Sequence, residues 1–244
     1  RIGDMAWMAG DSRWKGFLLG ATAGRTTLSG EGLQHQDGHG HVLALTIPNM
    51  MAYDPAYAFE LAVIIKDGIK RMYVDNEQVF YYITLMNDNY LQAPMPNNSE
   101  EGIIKGMYKF SSNENASAQI LGSGAILPEA LKASEILKND YNISVNIWSV
   151  TSYKNLIFDA QDAERENIRN GKNNIPYITE CLKNEKGPVI AVSDYMKLMP
   201  GVLAKWIPEG LVSLGTDGYG RSDDRPALRK HFEVDANSIT WTVL

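Results

Sequence analysis

The fold is decided by residues 118–150, which read AQILGSGAILPEALKASEILKNDYNISVNIWSV. The apolar run 118–122 is bounded by a glycine and predicts a buried strand, and the β-branched run 143–150 predicts a second one. Residues 128–137 between them predict a helix. A strand, a helix and another strand in succession form the repeating unit of a parallel sheet. This stretch therefore predicts an α/β fold.

The same alternation continues on both sides of that stretch. Further strands are predicted at 16–20, 43–47, 79–84, 189–193 and 211–215, and further helices at about 55–73 and 159–169. Asp54 and Pro55 are predicted to begin the first of these helices, as its N-cap and its first helical residue. The chain is therefore predicted to be of the α/β class, with mostly parallel sheets covered by helices on both faces.

Length and composition indicate two domains. The chain has 244 residues, of which 44% are hydrophobic, enough for two ordinary cores. Asparagines and two prolines accumulate in residues 87–99, as is typical of a linker. We therefore predict a first domain at 1–92, a linker at 93–99 and a second domain at 100–244.

Charge and cysteine content exclude several classes of protein. A net charge of −6 with scattered Lys and Arg argues against nucleic acid or an anionic membrane surface as a partner. The single cysteine excludes an intrachain disulfide and fits a reducing, cytoplasmic setting. No apolar run approaches the roughly 20 residues of a membrane helix. Both ends are apolar, from which we expect a piece of a longer protein.

Three of the four histidines fall within residues 30–41, GEGLQHQDGHGH, here called the histidine loop. Glycine allows backbone conformations and close approaches that other residues do not. Imidazole is the side chain best suited to exchanging a proton near neutral pH. The loop is therefore predicted to be a functional site. The alternative is an ordinary polar surface loop.

A metal site is the second interpretation of the same histidines. His35, His39 and His41 have the spacing H-x-x-x-H-x-H, with Asp37 between the first two. The intervening glycines disfavour the helix that would bring two histidines onto one metal ion, and no other ligand cluster is evident. We therefore predict no bound metal, and elemental analysis would test a free-standing metal-dependent enzyme.

A second glycine-rich segment, residues 215–223, reads GTDGYGRSD and follows a predicted strand. Its backbone N–H groups and Arg221 could hold an anion. The simpler interpretation is a turn in which Asp223 or Asp224 caps a helix beginning near Pro226 while Arg221 pairs locally. No nucleotide-binding or serine-hydrolase motif is present. His231 is predicted at the end of that helix, where a cation is favourable.

Several segments, taken in order, resemble the homodimeric pyruvate dehydrogenase E1 family of bacteria. They are residues 25–41, 46–49, 53–58, 121–124, 195–198, 214–223 and 231–236. The resemblance covers the whole chain. It implies the end of a thiamine-diphosphate-binding pyrimidine domain, followed by a transketolase-like C-terminal α/β domain.

The resemblance also implies an activity. Enzymes of this family use thiamine diphosphate and Mg²⁺ to decarboxylate pyruvate, and pass the two-carbon unit to a lipoyl group of the E2 dihydrolipoyl acetyltransferase. The G-D-G…N motif and the glutamate that hold the cofactor in the family are absent. Thr216 precedes Asp217-Gly218 where a first glycine would stand. We therefore expect the main cofactor ligands to lie outside this chain, which would be inactive alone.

Site residues follow from the same resemblance. His35 matches the catalytic histidine that faces the bound substrate, and Glu31, His39 and His41 are expected to support it. Gln36 and Gly40 stand where the family leads us to expect Glu and Ser. Two alternatives remain open, namely a different thiamine-diphosphate enzyme, either a 2-oxoacid dehydrogenase or a transketolase, and a C-terminal half that serves as a dimerisation or interaction module.

Overall fold

Two β-sheets with flanking helices make up the protein in a computed structural model that describes residues 2–21, 23–33 and 35–244. Gln34 of the histidine loop lies outside the described residues. The first sheet has three parallel strands in the order β1-β3-β2. They are β1 (Phe17–Gly20), β2 (Met50–Tyr53) and β3 (Phe80–Thr84).

The second sheet has five strands in the order β4-β6-β5-β7-β8. They are β4 (Met107–Ser111), β5 (Ala118–Gly122), β6 (Val145–Val150), β7 (Val189–Val192) and β8 (Leu211–Leu214). Strand β4 pairs antiparallel with β6, and the other pairs are parallel. The predicted α/β class with mostly parallel sheets is confirmed.

Ten α-helices surround the two sheets in the described chain. They are α1 (Ile2–Asp11), α2 (Gly40–Leu45), α3 (Ala58–Ile69), α4 (Glu100–Lys105), α5 (Leu127–Tyr141), α6 (Tyr153–Asn170), α7 (Tyr177–Leu182), α8 (Leu198–Gly201), α9 (Arg225–His231) and α10 (Ala236–Val243). A π-helical turn, Lys70–Val74, continues α3. None of the described helices has the length and apolar character needed to cross a membrane.

The second sheet forms the larger core because helices cover both of its faces. Strands β5, β6 and β7 are buried at every position, as expected for parallel strands between two helical layers. Apolar side chains of α5 and α10 cover one face, and those of α6, α7 and α8 cover the other. This arrangement leaves the carboxyl ends of the strands as the edge on which the loops meet.

Most predicted elements are confirmed with small shifts of their ends. The strand at 118–122 has the predicted bounds, and those at 79–84, 143–150 and 189–193 differ by no more than two residues. The helix predicted at about 55–73 is present as α3 and its π-helical turn. His231 ends α9 as predicted.

Two local predictions are wrong. Residues 43–47 do not form a strand, because Gly40–Leu45 is helix α2, which buries Ala44 and exposes Leu43. Asp54 does not cap α3, which begins at Ala58. The buried Glu60 carboxylate instead accepts hydrogen bonds from the N–H groups just before that helix.

Candidate functional site

The histidine loop lies directly against the 215–223 segment. The Gln36 side chain joins them, because its Nε2 donates to the Leu28 carbonyl at 2.6 Å and its Oε1 accepts from the Arg221 N–H at 2.8 Å. The Gly30 N–H donates to the Asp223 carbonyl at 3.1 Å. The two glycine-rich segments that the sequence presents as separate candidates therefore form one surface.

Glycine is required where the two segments touch. A Cβ on Gly220 would lie 2.6 Å from the Gly32 carbonyl oxygen, and one on Gly32 would lie 2.5 Å from Ser222 Oγ. Asp224 accepts a hydrogen bond from the Ala227 N–H at 2.9 Å and so caps α9, as the sequence predicts. The local ion pair predicted for Arg221 is not among the salt bridges found in the described residues.

Asp194 fixes the chain that leads into the histidine loop. It follows β7, is fully buried, and accepts four hydrogen bonds of 2.6–3.1 Å from the N–H and hydroxyl groups of Thr26 and Thr27. Burial raises the pKa of the Asp194 carboxyl, while the threonine hydrogen bonds oppose that shift. This residue was not predicted from the sequence. Its position directly after a buried parallel strand was the available signal, because ligand and loop contacts gather at that edge.

His39 is bound to a buried arginine. Arg25 is 1% exposed, and its Nη2 lies 2.9 Å from His39 Nδ1. Because a guanidinium only donates, Nδ1 of His39 is the acceptor and the proton of the neutral ring sits on Nε2. Burial lowers the pKa of Arg25, and Asp37, Asp194 and Asp217 act in the opposite direction.

His41 is a buried, uncharged histidine. Its Nε2 lies 3.3 Å from Thr84 Oγ1, and its ring meets Tyr195 edge-on at 4.7 Å between centroids. Burial lowers the pKa of His41 to about 4, although the nearby Asp37 acts to raise it. The ring is therefore neutral near pH 7, and these contacts support the interpretation that it orders the loop.

Unlike the buried His41, His35 has an imidazole that is open to solvent. Its side chain is 56% exposed, and Nδ1 lies 3.0 Å from Glu31 Oε2. The three histidines thus contact three different partners instead of one another. Among the described residues, no group of three or more His, Cys, Asp or Glu side chains could hold a metal ion.

Two further buried ionisable side chains lie near the loop. Asp54 Oδ1 accepts a hydrogen bond from Thr84 Oγ1 at 2.6 Å, and burial raises the pKa of Asp54 to about 7. Lys154, in the first turn of α6, donates to the carbonyl oxygens of Ala44 at 2.7 Å and of Ile47. Burial lowers the pKa of Lys154 to about 7. It ties α6 to the end of α2, the helix that begins within the histidine loop.

Solved structures share this fold. A mutant transketolase from Pichia stipitis superposes with a TM-score of 0.74 at 17% identity, covering 98% of this chain and 31% of that one. The transketolase from Campylobacter jejuni gives 0.72 at 16% identity, covering 98% and 33%. Residues 106–235 match the model of the transketolase-like C-terminal domain. Fold and domain together define a transketolase-like α/β protein.

The sequence relatives identify the family within this class of protein. Residues 1–93 match the pyruvate dehydrogenase E1 component middle domain. Proteins named pyruvate dehydrogenase E1 component match the whole chain at 53% identity in Pseudomonas aeruginosa, 49% in Escherichia coli K12 and 46% in Mycobacterium tuberculosis. The chain belongs to the pyruvate dehydrogenase E1 component family, as its motifs indicated. It spans 27–28% of the length of these relatives.

Proposed function

We propose that this chain forms part of an enzyme that oxidatively decarboxylates pyruvate and transfers the acetyl unit to lipoyl groups of an E2 dihydrolipoyl acetyltransferase in the cytoplasm. The observation that carries this proposal is the 46–53% identity over the whole chain to proteins named pyruvate dehydrogenase E1 component. The histidine loop, which carries much of the resemblance, also has titratable side chains that are open to solvent, among them His35.

Thiamine diphosphate and Mg²⁺ are the cofactors proposed for the complete enzyme, and the residues of this chain do not fit their binding. No metal-ligand cluster is found in the described part of the chain. Thr216, in the segment that most nearly matches the family's metal motif, is buried and donates its hydroxyl to the Asp194 carbonyl at 2.8 Å. That segment is structural. We therefore propose that the cofactor ligands belong to parts of the protein outside this chain.

His35 is the proposed catalytic residue. The Nδ1–H group donates a hydrogen bond to the Glu31 carboxylate 3.0 Å away, and this contact favours the imidazolium, whose Nε2–H would donate its proton to the carbonyl oxygen of a bound 2-oxo acid. A donor placed at a developing oxyanion is worth about 10²–10³ in rate. Glu31 would fix the ring orientation, while the contacts of His39 and His41 hold the loop in place.

The C-terminal half is proposed to act as the support of that loop. It supplies Asp194 to Thr26 and Thr27, and the Arg221 N–H to Gln36. No helix or strand lies between Thr84 and Glu100, so a domain boundary at residues 93–99 remains our proposal. This supporting role requires no separate catalytic group in residues 100–244.

A homodimer is the proposed assembly. Large apolar side chains on α1 and β1 are exposed in this chain, and they include Met5, Trp7, Met8, Leu18 and Leu19. Several exposed large apolar side chains on two neighbouring elements are typical of an interface. We propose that a second copy or the remainder of the protein covers it.

Release of labelled CO₂ by the complete protein that carries this chain tests the activity. With carboxyl-labelled pyruvate, thiamine diphosphate, Mg²⁺ and an artificial electron acceptor, we expect turnover. We expect none when 2-oxoglutarate or a ketose phosphate replaces pyruvate. Preference for 2-oxoglutarate would instead indicate another 2-oxoacid dehydrogenase, and preference for ketose phosphates a transketolase.

Calorimetric titration of the isolated chain tests the placement of the cofactor site. We expect no binding of thiamine diphosphate with Mg²⁺ in the micromolar range or tighter. Such binding would contradict the proposal that the ligands lie elsewhere, and would leave the proposed reaction intact.

A further inference from the structure

Four buried side-chain oxygen atoms that lack a hydrogen-bond partner in the described chain line a single cavity. They are Asp54 Oδ2, Ser123 Oγ, Tyr153 OH and Tyr195 OH. Only two other side-chain atoms of the described residues share this condition, and they are the Nε atoms of Arg25 and Arg229, which do not line the cavity. Unpaired polar groups are therefore concentrated at one place.

The clustering of these unpaired oxygen atoms needs an explanation, because a buried polar atom without a partner destabilises the folded state. None of the four residues is more than 8% exposed. In folded proteins nearly all such atoms are paired with protein or with an ordered water molecule. The cavity also offers several polar atoms and has room for one water-sized sphere, the two conditions for a bound water.

The chemistry of the four atoms matches water better than a cation. A water molecule donates two hydrogen bonds and accepts two. With Asp54 ionised, the water can accept from the hydroxyls of Tyr153 and Tyr195 while donating to Asp54 Oδ2 and Ser123 Oγ. An alkali cation would bind the oxygen lone pairs but would leave the two tyrosine hydroxyl hydrogens, which the water accepts, without acceptors.

We propose that this cavity holds one ordered water molecule that joins the first sheet to the second. Asp54 follows β2 of the first sheet, whereas Ser123 follows β5 and Tyr195 lies just after β7 of the second. Tyr153 is the first residue of α6, which covers the second sheet. The water is thus the shared partner of four elements. This inference does not depend on the proposed reaction.

The water is also connected to the histidine loop. From Asp54 the contacts continue through Thr84 Oγ1, which donates to Asp54 Oδ1 at 2.6 Å and lies 3.3 Å from His41 Nε2. Because Thr84 donates to Asp54, it accepts from His41, whose proton then sits on Nε2. A continuous chain of hydrogen bonds therefore runs from the water to His41.

A high-resolution crystal structure of the complete protein tests the proposal directly, with crystals grown once in sodium and potassium salts and once in their absence. We expect one density peak about 2.6–3.2 Å from the four oxygen atoms in both crystals. An empty cavity, or hydroxyls paired directly with one another, would overturn the proposal. A peak that appears only with the alkali salts would replace the water with a cation.

Thermal unfolding of tyrosine variants gives an independent test. Tyr153→Phe and Tyr195→Phe should each lower the Tm by about 2 °C or more. The double variant should lose less than the sum, because both hydroxyls bind the same water. Tyr141→Phe is the matched control, since Tyr141 is 42% exposed, and its Tm should not change.

Two results in these variants would contradict a shared water. One is a loss of Tm in the double variant that equals the sum of the two single losses. The other is an unchanged Tm in both single variants. If either tyrosine variant fails to fold, Ser123→Ala paired with the remaining tyrosine variant provides the same cycle.

Discussion

Asp194 holds Thr27 with two hydrogen bonds, from the Thr27 N–H at 3.1 Å and from its hydroxyl at 2.6 Å, both to Asp194 Oδ2. The two residues belong to different halves of the chain and lie 167 positions apart. Through this contact the end of β7 sets the position of the backbone that enters the histidine loop. The loop is therefore a product of both halves.

Asp194→Asn should destabilise the protein. An amide presents one NH₂ group where the carboxylate presents a second acceptor, so the donors of Thr26 or of Thr27 lose their partner. Each buried group left unpaired costs about 1–3 kcal/mol. We expect a clear fall in the Tm on thermal unfolding. Asp140→Asn, at an exposed position of α5, is the control, and an equal Tm for both variants would contradict the supporting role.

His35→Ala and His41→Ala should separate catalysis from stability. His35 is exposed, so His35→Ala should leave the Tm nearly unchanged while lowering turnover of the complete enzyme about 10²-fold or more. His41 packs on Tyr195 in the interior, so His41→Ala should lower the Tm. Turnover and thermal unfolding measure the two effects. Near-normal turnover of a folded His35→Ala enzyme would refute the catalytic role.

Asp54 should make stability fall as pH rises. Its pKa is about 7 in the folded protein and near 3.8 when unfolded, so between these values the folded state holds a proton that the unfolded chain has released. The contribution of Asp54 to the free energy of unfolding is fully present below about pH 4 and is lost towards pH 7. Asp54→Asn should remove this decline relative to the native protein in urea unfolding at pH 5, 6 and 7. Asp140→Asn should retain it, and an unchanged slope in Asp54→Asn would contradict the raised pKa.

Lys154 should make the free energy of unfolding rise with pH, over a higher pH range than that of Asp54. Its pKa is about 7 in the folded protein, whereas the unfolded lysine keeps its proton to about 10.5. The unfolded chain therefore binds more protons between these values, and stability should rise with pH over that window. Lys154→Met should remove the rise in urea unfolding from pH 7 to 10, and the exposed control Lys138→Met should keep it. Parallel slopes for the two variants would contradict the prediction.

Gly38→Ala should disturb the histidine loop through Arg25. A Cβ at Gly38 would lie 2.0 Å from Arg25 Nη2, the atom that contacts His39. We expect a lower Tm and lower turnover. Gly201→Ala is the control, because nothing lies within 4 Å of a Cβ there. If the two variants have the same Tm and the same turnover, the close packing of Arg25 against Gly38 has no energetic consequence.

Much of the fold could be predicted because it is encoded locally. The runs 118–122 and 189–193 are apolar, short and bounded by turn residues, and both are strands. The run 43–47 is equally short and apolar but is largely helical, since a run of that length does not distinguish the two structures. Strand β2 was missed because Met50 and Met51 carry no β-branched signal.

The sequence by itself determined the α/β class and identified the histidine loop and the 215–223 segment as candidate sites. Residue type and periodicity are signals that act over a few neighbouring positions. Only the tertiary structure decided that these two segments meet through Gln36 and that Asp194 anchors Thr26 and Thr27. It alone also distinguished the buried His41 from the exposed His35. The Gln36 and Asp194 contacts join residues more than 100 positions apart, and the linear pattern does not indicate which distant residues the fold brings together.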